Sequence, residues 1–373
     1  MAKQPLLKRI WRATPIIGVA ILLTFVFSQQ GLLRKFETTA LDTTMRLQSK
    51  RLQNEIAVVR ITDEDYKDRF HAKSPLDPDA LQEIVDAIAR GKPRIIGVDI
   101  DTSASAFTKL QSPPIPVPVI WARTGAYSNL RKQVHLFDYL GGNNPGGASG
   151  LVLFKVDEDG ALRRYSRIVP TNMGPFPSLS WAIIKQLGAD KSKNLTESEE
   201  ELFINYVDSS WDSRQVNISS QEIVNLSTTE GFQTDGILKD KIVLLGGDYA
   251  VQDEHDTPLG WMIGVHALKQ IIATELEGGG PRPASTMSIV LLELVDGFVL
   301  LLLFQIFRLR KAVIISVFLI PFLALVCSLL AFRSFAQWAY FVPILVLILG
   351  HQLYERVKDY FKKLPEQIAD ATQ

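Results

Sequence analysis

Apolar residues fall into two regimes along this chain. Near both ends they run almost unbroken, and between the ends they alternate with polar residues at strand and helix periods. Residues 13–33 run apolar, with Gln29 and Gln30 the only strongly polar interruptions. A helix needs about 20 such residues to cross a bilayer, so this run predicts a first transmembrane helix. A cleaved signal peptide is the competing reading, with Val26-Phe27-Ser28 offering a cleavage position. Three further runs, 287–307, 312–332 and 335–351, predict three more spans. Their connections, 308–311 and 333–334, are short enough to make adjacent spans antiparallel.

The 34–286 segment has a different pattern. Residues 55–61, EIAVVRI, read as a buried strand. An amphipathic helix over 77–89 follows, with Leu81, Ile84, Val85 and Ile88 on one face and Gly91 past its end. Residues 94–99 form the next strand, so the three elements predict a βαβ unit with a parallel pair of strands. Residues 119–122 predict a third strand after a proline-rich break, and 141–150 a glycine-rich loop. Asp157-Glu158-Asp159-Gly160 marks a turn, so 151–156 and 162–169 predict a hairpin. Ser178 caps a helix running to Leu187, strands follow at 202–206 and 241–245, and a last helix covers 264–276. The expected fold is α/β: a mixed, partly parallel sheet covered by helices in an extracytoplasmic domain, plus four transmembrane α-helices.

Charge sets the orientation. The basic N-terminus (Lys3, Lys8, Arg9, Arg12), the Arg308/Arg310/Lys311 turn and the Arg356/Lys358/Lys362/Lys363 tail share one side of a four-span chain. The positive-inside rule makes that side cytoplasmic. Residues 1–12 and 352–373 are then cytoplasmic and 34–286 extracytoplasmic, in a multi-pass protein of the plasma (inner) membrane. Lys+Arg and Asp+Glu balance at 40 each, which argues against a nucleic-acid partner. The single cysteine, Cys327, excludes an intrachain disulfide framework.

Six segments taken in order resemble a known family. They are FETTALDTTMRL after the first span, IAVVRITDED, PRIIGVDIDTSAS, GLVLFKVDEDGALRRYSRIVP, FPSLSWAIIKQL, and the long stretch LKDKIVLLGGDYAVQDEHDTPLGWMIGVHALKQIIATEL. Together they resemble the CHASE sensor domain of type 2, over residues 30–350. The resemblance implies an extracellular sensory domain of the kind associated with cyclases and histidine kinases, usually followed by three spans. Two departures stand out. His71–Asp77 replaces a Trp-Pro-Arg-like segment, and the region between Asp101 and Val119 is short for the helix expected there.

Two acidic clusters are candidate ligand sites. Asp63 and Asp65, with Glu64, follow the first strand, and Asp99 and Asp101 follow the second. Ligands of parallel sheets bind beyond strand carboxyl ends. If the two strands are adjacent, these carboxylates suit a hard cation; otherwise they are turn-forming and helix-capping acids. The second cluster is Asp253, His255 and Asp256, followed by His266. Its residue types allow metal binding or acid–base work, but its spacing is not that of a zinc-hydrolase motif, and Thr257-Pro258-Leu259-Gly260 reads as a shaped turn. No nucleophile elbow or nucleotide fingerprint is present. No cofactor is expected, no catalytic residue is assigned, and the metal question is open. Glu293 and Asp296 lie three apart in the second apolar run, as candidates for polar contact with another span or a subunit.

These features predict a non-enzymatic membrane sensory protein that signals through a separate partner carrying the output function, within a homo- or hetero-oligomer. About 22 residues follow the last span, with no kinase, cyclase or nucleotide motif among them. A structural subunit using its outer domain as a protein-binding surface is the first alternative. An extracytoplasmic metal-dependent hydrolase is the second.

Overall fold

The computed structural model describes residues 34–47, 55–128, 132–142, 148–188, 199–207, 216–229, 236–249 and 253–283, with isolated positions at 197 and between 285 and 338. The chain divides into two compact units, residues 45–280 and the two flanking segments. Among the described residues no helix is long and apolar enough to cross a membrane. The four apolar runs read as spans fall almost wholly outside the described residues, as do Glu293 and Asp296.

The larger unit is built on six parallel strands. In chain order its elements begin with the end of α1 (Arg34–Leu47), β1 (Ile56–Thr62), α2 (Asp63–Asp68), α3 (Pro78–Arg90) and β2 (Ile95–Asp99). Next come β3 (Val119–Arg123), β4 (Gly125–Ser128), β5 (Gln133–Leu136), β6 (Ser149–Leu151), β7 (Arg164–Ser166), β8 (Ile168–Thr171) and β9 (Gly174–Pro177). Then follow α4 (Leu179–Gln186), β10 (Glu201–Phe203), β11 (Asn217–Ser219), α5 (Ser220–Ser227), β12 (Ile242–Asp248), β13 (Glu254–Thr257), β14 (Gly260–Ile263) and α6 (Gly264–Leu276).

The main sheet runs β11-β1-β12-β2-β3-β6, every neighbouring pair parallel. Mixed pairing is confined to the small sheet β4-β5-β8-β9. The expected βαβ unit exists, since α3 joins β1 to β2, but its strands are not a pair. β12 lies between them. Its Ile242-Val243-Leu244-Leu245 run is wholly buried, the signature of a strand covered on both faces.

Alternate residues of each strand feed two cores. On one face, Ala57, Val59, Ile96, Val98, Val243 and Leu245 pack with Leu81, Ile84, Val85 and Ile88 of α3 and Ile223 of α5. On the other, Ile56, Val58, Ile95, Ile242 and Leu244 pack with α4 and with Val265, Leu268 and Ile272 of α6. Each large aliphatic residue so buried is worth about 1.5–3 kcal/mol over exposure. Asp77, read as the first helical residue, instead caps α3 by accepting from Asp79 and Ala80 N–H, and Pro78 opens the helix.

The hairpin expected around Asp157–Gly160 does not form. The turn closes, with Asp157 N–H donating to Ala161 O at 2.9 Å. However, β6 pairs with β3 and β7 pairs with β10, so the flanking segments part company. Arg163 fixes the turn by binding both Asp157 and Asp159. The glycine-rich stretch is also only partly loop. Residues 143–147 lie outside the described residues, and Ser149–Leu151 is the edge strand β6, where a side chain on Gly150 would overlap the backbone of Leu179.

Two hairpins share one device. In Thr171–Gly174 and Thr257–Gly260 the threonine hydroxyl donates to the glycine carbonyl, at 2.6 and 2.5 Å, and accepts from the amide two residues on. Gly174 and Gly260 take φ of +97° and +104°, open to glycine without a Cβ penalty. The second hairpin is the shaped turn expected from Thr257-Pro258-Leu259-Gly260. In the flanking unit, Gln337–Trp338 pairs in parallel with Arg282–Pro283, and the rest of the stretch read as the fourth span lies outside the described residues.

Candidate functional site

The helices after β1 and β12 cover opposite faces, α2 and α3 on one and α6 on the other. Neighbouring strands whose connections diverge in this way leave a crevice at their carboxyl ends, where α/β sheets bind ligands. Register fixes what lines it. Arg60 of β1 and Asp99 of β2 both stand opposite Gly246 of β12, so the three share one row and one face. That face is the one covered by α6, because Val58, Leu244 and Ile95 lie on it two or four residues earlier. A Cβ on Gly246 would come within 2.6 Å of Val265, so the missing side chain lets α6 settle over the row.

Asp99 is the most perturbed acid there. It keeps some accessible surface, yet desolvation raises its carboxyl from 3.8 to about 7; the charge of Asp253 adds to the rise and His255 opposes it. Among the described residues Asp99 has no ion-pair partner. Asp253 and His255 are themselves joined, the imidazole Nε2 donating to Asp253 Oδ1 at 3.0 Å. The His255 ring rests edge-on against Phe154, centroids 4.8 Å apart. Asp253 O accepts from Gly264 N–H at 2.8 Å, and its carboxylate packs against Gly264 at the start of α6, where no side chain caps the helix. A carboxylate there also meets the positive end of the helix dipole.

The other expected residues are dispersed. Asp65 is buried and committed to the fold: it accepts from Thr62 N–H, from Ser220 N–H and from Ser220 Oγ at 3.1, 3.1 and 2.8 Å. Asp63 is exposed in the first turn of α2. Asp101 is exposed and braces a turn, accepting from Ser103 N–H and Thr124 Oγ1. Because β12 separates β1 from β2, the acids after those two strands do not form one carboxylate cluster. Asp256 points outward. His266 sits on α6 with Nε2 3.5 Å from Asn217 Nδ2. Burial, then Lys269 and Arg60, lowers it to about 4, so it is neutral near pH 7 and stands apart from His255. Among the described residues no three His, Cys, Asp or Glu side chains converge on a metal position.

Four participants escape sequence reasoning. Arg60 pairs with Asp248 across the β1–β12 boundary. Tyr66 and Tyr249 stack at 4.3 Å, nearly parallel, and burial, Tyr66 and Asp253 together raise the Tyr249 hydroxyl. The available signal was Gly246-Gly247-Asp248-Tyr249 directly after a fully apolar strand, the composition of a strand end that lets other groups approach.

A family model described as the CHASE2 domain matches residues 18–306, well over half of the chain. The chain belongs to the CHASE2 domain family. CHASE2 is an extracytoplasmic sensory domain family, which makes signal input the role of this domain. The match begins within the first apolar run and ends at the second, a shorter reach than the 30–350 of the sequence resemblance. No curated protein and no solved structure matches the chain.

Proposed function

We propose that this CHASE2 protein is an integral membrane signal-input protein whose lobe, residues 45–280, reads an extracytoplasmic cue at the crevice of Asp99, Asp253 and His255. It binds rather than turns over its cue, and it passes the signal to a separate partner through the spans and the basic tail. The four apolar runs, long enough to span and oriented by their basic flanks, support the membrane placement. One observation carries the site. Asp99 is held by burial between its two charge states, so a cation or proton reaching it shifts a local balance that Asp253 and His255 share.

A route outward from the crevice supports the transmission half of this reading. Asp253 and His255 lead into the β13–β14 hairpin, whose turn carbonyl, Pro258 O, accepts from Arg46 Nε of α1 at 2.5 Å. The same hairpin opens directly into α6. A shift of the hairpin therefore reaches the chain on both sides of the lobe, provided the cue binds two arrangements with different affinity.

The test is cross-linking from a photoreactive residue in place of Tyr354, in full-length protein within its own membrane. The proposal expects one discrete cross-linked protein, with a yield that differs between wild type and Asp99→Asn. No discrete product, or equal yields in both, overturns it.

A further inference from the structure

The two faces of the β13–β14 hairpin carry opposite kinds of residue. In this antiparallel pair Asp256 stands opposite Trp261, and Glu254 opposite Ile263. Side chains alternate along each strand, so Glu254, Asp256, Trp261 and Ile263 share one face, while His255, Thr257 and Met262 share the other. The second face is inward: Thr257 is buried, and His255 and Met262 are partly covered. The first is outward at Glu254 and Asp256, both exposed, and at Trp261, 75% accessible, while Ile263 at its end packs on the core. Trp261 is the most exposed aromatic residue among those described. Neither Glu254 nor Asp256 has an ion-pair partner among the described residues, although Lys155, Arg163 and Arg164 all find acids elsewhere on the same lobe.

We infer that this outward face is a docking surface for a basic segment of a protein partner, with an arginine or lysine seated between the Trp261 indole and the Asp256 carboxylate. Opposed residues of an antiparallel pair hold their Cβ atoms about 4.5–5.5 Å apart. That spacing lets one guanidinium lie on the indole face while hydrogen-bonding the carboxylate beside it. Glu254, two residues along the same strand and face, extends the negative charge to the next basic side chain. Exposed tryptophans are also used to enter lipid interfaces. Two unpaired carboxylates on the same small face oppose that use, since they would have to be desolvated or brought against anionic headgroups.

The hairpin backbone is held firmly enough to present a fixed surface. Leu162 N–H donates to Asp256 O at 2.7 Å, Thr257 closes the turn, and Arg46 ties down Pro258. The inward face of the same hairpin carries His255 of the crevice, so a docked partner and a bound cue act on one element. The docking surface goes beyond the sensing proposal and does not depend on Asp99.

The experiment measures binding of a tetra-arginine peptide to the full-length protein in nanodiscs of zwitterionic lipid. Wild type is expected to bind, with affinity falling as salt rises. Trp261→Ala and Asp256→Asn should each weaken binding about tenfold, while Trp261→Tyr retains most of it and Asp99→Asn stays within about twofold. Because Trp261 is exposed, its replacement should leave the melting temperature unchanged. Equal affinity in wild type, Trp261→Ala and Asp256→Asn overturns the inference. A loss in Asp99→Asn matching that in Trp261→Ala also overturns it, because the peptide then occupies the crevice. Brominated lipid in the nanodisc supplies the last outcome. Quenching of the fluorescence difference between wild type and Trp261→Phe would place Trp261 in lipid and refute docking.

Discussion

Asp253 rests its carboxylate against Gly264, the first residue of α6, and leaves no room for a side chain between them. The contact joins the crevice to the helix that leads out of the lobe. It also explains why the first residue of α6 carries no side chain. Gly264→Ala should displace Asp253, break its bond to His255 and lower thermal stability. Adding Asp253→Ser to Gly264→Ala should recover much of the loss, because the smaller side chain clears the added methyl. Melting temperatures of the two single variants and the double variant check this, and strict additivity would show that the residues do not press on one another.

The pH response follows from Asp99. In the folded lobe its carboxyl titrates near 7, and in the unfolded chain near 3.8. Between those values the folded state holds a proton that the unfolded state has released, so this group's contribution to stability falls as pH rises from about 4 to 7. Asp99→Asn is neutral throughout and has no such fall. The melting temperature of Asp99→Asn should therefore gain on wild type steadily between pH 4.5 and 7 and then run parallel to it. Parallel profiles over the whole range would contradict the assignment.

Arg167 and Glu275 form an ion pair in the core, with Arg167 Nε and Nη2 donating to the two carboxylate oxygens at 2.8 and 3.0 Å. Both side chains are buried, and Arg167 also lies over the Trp181 ring at 4.9 Å. Removing one member strands the other's charge, at a cost of about 3–5 kcal/mol. For a lobe of this size, Arg167→Met or Glu275→Leu should lower the melting temperature by on the order of 10 °C. The double replacement should restore most of it, since it removes both desolvation costs. Scanning calorimetry of all four proteins tests the pair.

The sequence made local structure legible wherever an element announced its own ends. Helix α3 follows from its apolar face of Leu81, Ile84, Val85 and Ile88 and from Gly91, α4 from Ser178, and α6 was expected over its observed residues, Gly264–Leu276. Strand order was not legible. β1 and β2 are close in sequence and have the right spacing for a pair, but β12, some 140 residues later, is the more apolar strand and takes the place between them. That single insertion separates the Asp63/Asp65 group from Asp99. It leaves Asp99 perturbed first by burial, with Asp253 and His255 as the nearby charges that act on it. Asp65 was misleading for a related reason: a carboxylate at a helix start can cap, and here its acceptors are taken by Thr62 and by Ser220, far away in sequence.

A lobe that reads an outside cue must face away from the cytoplasm, and cysteine labelling of residues 45–280 measures this directly. Cys327 is the chain's only cysteine, so Cys327→Ser provides a blank background, and Lys239→Cys adds one thiol at an exposed position of the lobe. A membrane-impermeant maleimide applied to intact cells expressing this variant should label it fully. Labelling that appears only after the membrane is permeabilised would put the lobe in the cytoplasm and contradict the account.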